Sequence, residues 1–175
     1  MKSIQLAVLI GLIFLAAPAH AMHLSEGLLP MKWAAIWYLV ALPFVAFGIY
    51  RVNNLSKEDI TIKPMLGMMG AAVFIISCMP VPVPTAGTCS HPCGTGMAAI
   101  LIGPVLSTFV ASIALLIQAL FLAHGGITTW GADIVSMGVV GSFSAYLTFK
   151  GLRKAGIGLI PAAFMGGVIS DWATY

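Results

Sequence analysis

Apolar residues run through this chain in long blocks, broken at a few points by clusters of glycine, proline and charge. Residues 33–50 form one block, rich in aromatics at its start, and read as a membrane helix anchored at the interface. Pro30 suits the first turn of that helix, and Pro43 lies inside it, where it predicts a kink. Residues 51–63 carry Arg51, Lys57, Glu58, Asp59 and Lys63 and read as a polar loop. Residues 65–79 predict a second helix. Residues 80–96, with proline, glycine, threonine and cysteine and no helical period, predict a loop. Residues 97–123 are apolar throughout, but Gly103-Pro104 interrupts them, and His124-Gly125-Gly126 ends them. Residues 134–149 predict a further helix, closed by Lys150, Arg153 and Lys154. From Ile157 a last apolar run continues to Tyr175.

The first block differs from the others. Lys2 precedes an apolar run over residues 4–17, Pro18 breaks it, and Ala19-His20-Ala21 fits a small-x-small cleavage pattern. A run of that length falls short of the ~20 residues that span a bilayer, so it reads as a cleaved signal peptide rather than an anchor. The expected division is a signal peptide over residues 1–21 and a mature transmembrane domain over residues 22–175, with Met22-His23 as the new N-terminus outside. The basic residues then set the topology. Arg51, Lys57 and Lys63 fall on the cytoplasmic side, as the positive-inside rule asks. Lys150, Arg153 and Lys154 do so only if residues 97–123 enter the membrane and return, as a break at Gly103-Pro104 allows. At 1.5 Å per residue the run is too short for two full crossings. One of its segments must be short, or the loop before it must dip into the membrane. On this reading His23, His91 and His124 share the outer side.

Composition narrows the class. Of 175 residues, 60% are hydrophobic and 7% charged, against about 25% charged in soluble domains. That excludes a disordered chain, a coiled coil and a basic nucleic-acid-binding domain, and leaves an all-α polytopic membrane protein in the lipid bilayer. The net charge of +3 is topology information rather than a sign of an acidic partner. No phosphate-binding lysine loop, no HExxH pair and no nucleophile–base pairing is present, so the chain is expected to be neither an ATPase nor another enzyme.

Candidate chemistry lies in the histidines and the processed amine. After cleavage His23 is the second residue. The Met22 amine and the His23 amide nitrogen close a five-membered ring on a metal, and the His23 amide and imidazole close a six-membered one. One more nitrogen completes a square plane, which suits Ni(II) and Cu(II) and, less strictly, Co(II). Binding releases protons, because the amine must be neutral and the amide deprotonated. His91, in the loop Gly87-Thr88-Cys89-Ser90-His91-Pro92-Cys93-Gly94, is a natural source of that nitrogen. Cys89 and Cys93 flank it as ligands, as a disulfide or as two small loop residues, and the last two readings are preferred. Glu26 lies near enough to orient His23 or steer a cation. Asp133 and Asp171 sit at or within apolar runs, where ionisable groups are costly and often functional.

These residues resemble the CbiM family of cobalt and nickel substrate-capture proteins, the membrane components that give energy-coupling factor transporters their selectivity. The resemblance spans residues 22–175. It rests on Met22-His23-Leu24-Ser25-Glu26-Gly27-Leu28-Leu29-Pro30, Cys89-Ser90-His91-Pro92, Gly94-Thr95-Gly96 with Gly103-Pro104, His124-Gly125-Gly126-Ile127-Thr128-Thr129, residues 137–141 and Asp171-Trp172-Ala173-Thr174-Tyr175. It implies a metal held by Met22, His23 and His91, with Co(II) the transported substrate, Ni(II) the same-class alternative, and no organic cofactor. It implies a CbiQ-like transmembrane coupling protein, a CbiO-like ATPase and a small CbiN-like membrane protein as partners, and an inner-membrane location. Cobalt import then feeds cobalamin biosynthesis. Family members continue past residue 175, so the chain is expected to be truncated at its C-terminus. The alternative from a different class is a membrane thiol redox or metal-sensing module using Cys89 and Cys93.

Overall fold

In the computed structural model, residues 26–79, 81–83, 88–122 and 124–174 are described, those at 82–83 and 88–90 as backbone only. Six helices and one small hairpin make up this part of the chain. Helix α1 spans Met31–Glu58, α2 Ile62–Cys78, α3 Thr95–Ile102, α4 Pro104–Phe121, α5 Trp130–Lys154 and α6 Leu159–Thr174. Three of them, α1, α4 and α5, are long and apolar enough to cross a membrane, and α2 is a shorter apolar helix. Strands β1 (Val81–Val83) and β2 (Thr88–Ser90) pair antiparallel, with Pro82 opposite Cys89.

The polar stretch after residue 50 is not a loop at first. Helix α1 carries on to Glu58, because nothing in Arg51–Glu58 breaks a helix and Lys57 in the last turn suits the negative end of the helix dipole. Pro43 lies within α1 without ending it. The turn comes at Asp59, whose carboxylate accepts from the Thr61 backbone N–H at 2.8 Å and its hydroxyl at 2.7 Å. Residues 80–96 likewise hold more structure than their composition suggests, namely the hairpin and the first turn of α3.

At Gly103 the backbone takes φ +87°, a conformation favoured by glycine. It ends α3, and Pro104 opens α4 at once. Helix α3 has eight residues, about 12 Å, and cannot span. Residues 97–123 are thus a short helix and a long one divided at Gly103, a break at the place the sequence predicts. Helix α5 leaves from Trp130 and is 25 residues long, about 37 Å. That carries Lys150, Arg153 and Lys154 to the end of the bundle away from His124.

Helix α5 is not α-helical throughout, since Ile134–Val140 is a π segment. Inside a bilayer no water can satisfy a carbonyl that points out of a helix, so neighbouring side chains must. Thr95 Oγ1 donates to the Met137 carbonyl at 2.9 Å, and Thr108 Oγ1 to that of Gly138 at 2.9 Å. Ser170 Oγ donates to the Gly141 carbonyl at 2.8 Å. Ser107 Oγ bonds the Thr95 carbonyl at 2.9 Å and Ser142 Oγ at 2.8 Å. These hydroxyls tie α3, α4 and α6 onto α5.

Close approach is bought with small residues. Ala98, Ala99, Ala111, Ala145 and Ala162 are fully buried. Large apolar side chains face outward instead, among them Leu39, Phe47, Phe121 and Phe164. A bilayer covers such a surface, and water does not.

Gly96 tests this packing. A Cβ there would lie 2.8 Å from the Ser170 Cβ and 2.9 Å from its hydroxyl. Gly96→Ala should therefore destabilise the α3–α6 contact by about 1–3 kcal/mol and lower the unfolding temperature in detergent. Gly67→Ala, with nothing within 4 Å, should leave it unchanged. Equal behaviour of the two variants would refute the close packing.

Candidate metal centre

Two loops meet at the end of the bundle where α1 and α5 begin. The first, residues 91–94, drops from the hairpin into the helices. The Cys93 backbone N–H donates to the Asp171 carboxylate at 2.5 Å, and the Cys93 thiol lies 2.7 Å from Thr95 Oγ1. Gly94 passes so close to mid-α2 that a Cβ would stand 2.9 Å from the Val73 Cα. With its lower end fixed in this way, the loop holds His91 half-buried at its top.

The second loop links α4 to α5. The His124 N–H donates to the Gln118 carbonyl at 3.3 Å, and Gly125 turns the chain with φ +76°. Glu26 reaches across from the start of the described chain, and its carboxylate accepts the Thr128 N–H at 3.2 Å. That carboxylate occupies the space a Cβ on residue 126 would fill, so the glycine there is required. The Tyr38 hydroxyl donates to the Ile127 carbonyl, Trp130 Nε1 donates to the Ser112 carbonyl at 3.0 Å, and the Tyr38 and Trp130 rings lie 5.8 Å apart. Gln118 braces the loop from below. Its Nε2 donates to Ser77 Oγ at 2.8 Å and Cys78 Sγ at 3.3 Å, so the far ends of α2 and α4 are joined.

Between the two loops the His91 and His124 rings meet edge to face, with centres 4.5 Å apart. Partial burial, and then the neighbouring His124, hold the His91 imidazole below its ordinary pKa. Both effects favour the neutral ring, which is the form that binds a metal. Among the described residues no group of three or more His, Cys, Asp or Glu gathers as a ready metal cage. Met22 and His23 lie outside the described residues.

The sequence leads to the expectation that His91 and His124 share one side of the membrane, and the structure brings their rings into contact. That contact has no signal in the sequence, because it joins two separate loops. Glu26, the first described residue, contacts the second loop. Asp171 and Asp133 have structural partners, Asp171 the Cys93 N–H and Asp133 the Thr129 hydroxyl at 3.3 Å. Cys93 is a buried free thiol turned toward Thr95 and the Met137 carbonyl. That position does not favour a redox module on Cys89 and Cys93.

Residues 23–175 match the family model described as the cobalt uptake substrate-specific transmembrane region, CbiM. The chain belongs to this family. The cobalt transport protein CbiM of Geobacter sulfurreducens is 63% identical over 169 residues, covering 97% of this chain and 49% of that protein. The protein of the same name from Sorangium cellulosum is 58% identical over 154 residues, 88% of this chain and 68% of its own length. The chain thus spans about half the length of the first relative and about two thirds of the second. A crystal structure of a transition metal transporter superposes with a TM-score of 0.77 at 27% identity, covering 87% of this chain and 66% of that one. A truncated transition metal transporter superposes equally well, with a TM-score of 0.77 at 26% identity. CbiM membership and the apolar helices together make this a multi-pass membrane protein.

The Glu26 contact can be checked directly. Glu26→Ala should speed amide hydrogen exchange at Thr128 by roughly tenfold, as expected for losing a hydrogen bond to a charged acceptor near the surface. Gly126→Ala, which displaces the same carboxylate, should do the same. Unchanged exchange in both variants would mean that Glu26 does not hold the loop.

Proposed function

We propose that this chain is the substrate-capturing membrane component of an energy-coupling factor transporter, binding Co(II) on the external side for ATP-driven import that feeds cobalamin biosynthesis. One observation carries the reading. His91 stands against His124 at the end of the bundle where Glu26 accepts from the Thr128 N–H. His23 precedes Glu26 by three residues, a reach of about 10 Å. The names of the CbiM relatives support cobalt as the substrate.

In this reading residues 1–21 are removed as a signal peptide, and residues 22–175 form the capture domain. Met22 supplies its freed amine, His23 its amide nitrogen and imidazole, and His91 the fourth nitrogen. Ni(II) fits the same donors. The chain selects the ion, and a CbiO-like ATPase, a CbiQ-like coupling protein and a CbiN-like membrane protein supply energy and assembly. The chain performs no catalysis of its own. It sits in the inner membrane with its mature N-terminus outside.

The metal site is tested by moving the amine. His91→Ala should abolish high-affinity Co(II) binding while leaving membrane insertion intact, because water replaces imidazole at one position. Insertion of one alanine between Ala21 and Met22 leaves every side chain in place. It adds an amide to the chelate and makes His91 compete for an occupied position. It should be as damaging as His91→Ala, read as metal content of purified protein whose N-terminus is confirmed by mass spectrometry. Full occupancy in a protein shown to begin Ala-Met-His would sink the amine chelate.

Orientation has its own check. Gly151→Cys, in a background lacking Cys78, Cys89 and Cys93, should resist a membrane-impermeant thiol reagent in intact cells and react after permeabilisation. Rapid labelling in intact cells would place Lys150, Arg153 and Lys154 outside and overturn the topology.

A further inference from the structure

Between α1, α2 and α4 lies an open trough of about 590 Å³. Its floor is α2, which has no side chains there to fill it. A Cβ on Gly67 would meet nothing within 4 Å, and one on Gly70 only the Val110 Cγ1 at 3.6 Å. Val52 of α1 and Phe109 of α4 stand at its sides. Ile113 and Ile117 are exposed along it, so the trough opens to the hydrocarbon around the bundle.

Its length is that of one leaflet. Lys63, Gly67, Gly70 and Phe74 lie along one face of α2 at helical spacing. From Lys63 to Phe74 the helix rises about 16 Å. The hydrocarbon core is about 30 Å thick, which gives each leaflet about 15 Å. A partner's transmembrane helix crosses both leaflets and would not be matched by a trough of half that length.

Its charge sits at one end. Lys63 is the one charged residue on the wall, and every other lining residue is apolar. It occupies the first turn of α2, where no acidic residue stands. A cation in that turn opposes the helix dipole, so helix formation does not ask for it. Among the described residues Lys63 has no ion-pair partner. The nearby Asp59 carboxylate is turned to the Thr61 N–H and hydroxyl instead. The opposite end of α2 meets Gln118, so Lys63 lies at the end of the bundle away from His124.

We propose that the trough holds one acyl chain of an anionic phospholipid whose headgroup phosphate meets the Lys63 ammonium. A cation above an apolar slot one leaflet deep matches both parts of that molecule. The chain stands in for the side chains that α2 lacks and packs α2 against α4. This needs only the membrane location and is independent of the capture reading.

The test weighs the protein with its lipid. The full chain is purified in detergent and moved into mixed micelles. These hold equal amounts of phosphatidylglycerol and phosphatidylcholine with the same acyl chains. Native mass spectrometry should show one retained lipid, with phosphatidylglycerol preferred by roughly fivefold, the scale of one basic side chain at a membrane surface. Lys63→Gln should keep a lipid but lose the preference. Gly67→Leu puts a side chain into the trough and should at least halve retention of either lipid. Both positions are exposed, so both variants should keep the fold. Equal retention of the two lipids by the unaltered protein, or undiminished retention in Gly67→Leu, would overturn the proposal. So would the absence of any retained lipid together with cross-linking of Gly67→Cys to a second transmembrane chain, which would give the trough to a partner helix. The preference of the unaltered protein decides the matter even if Gly67→Leu does not fold.

Discussion

A carbonyl group inside a bilayer must find a donor within the protein, and in this chain the π segment of α5 creates that demand. The Met137 and Gly138 carbonyls accept from Thr95 and Thr108, which belong to α3 and α4. The hydroxyls thereby fix the short re-entrant helix and its long partner against α5. Leaving a buried acceptor unpaired costs about 1–3 kcal/mol. The register of three helices is locked by satisfying that requirement. The small residues at the same contacts, Gly96 and the buried alanines, let the hydroxyls come within reach.

The site depends on this frame. Thr95 is the first residue of α3, and its hydroxyl also meets the Cys93 thiol. The chain just before it is the loop that carries His91. At the far end of α4, Gln118 joins α2 and anchors the His124 backbone. The two histidine loops are thus extensions of one hydrogen-bonded helix pair, and the turn between the pair is Gly103. Glu26, the first described residue, meets the same loop through the Thr128 backbone. The two histidine rings thus stand on loops whose support comes from the helices beneath them.

The alternative centred on cysteine chemistry loses its physical basis in the same frame. A reactive thiol needs exposure and a charge that favours thiolate. Cys93 is buried, and the nearby charge is the carboxylate of Asp171, which accepts its backbone N–H. It is a packing residue beneath the histidines, in a cluster with Ala41, Leu115, Ile134 and Met137.

Much was legible in the sequence because the bilayer imposes simple rules on it. Apolar blocks of sufficient length and the glycine–proline break at 103–104 determined a helical membrane protein whose middle apolar run is divided in two. The family matched over residues 23–175, a cobalt uptake region, agrees with the metal chemistry that the sequence suggests. The continuation of α1 to Glu58 is hidden in the hydropathy pattern, because charge ends the apolar block there although nothing breaks the helix. The π segment, the hydroxyl ladder and the hairpin had no sequence signature of their own. Above all, the contact of His91 with His124 joins residues 33 positions apart. Hydrophobic pattern puts both at the ends of apolar runs, but only the packing of α3 and α4 onto α5 decides that their rings touch.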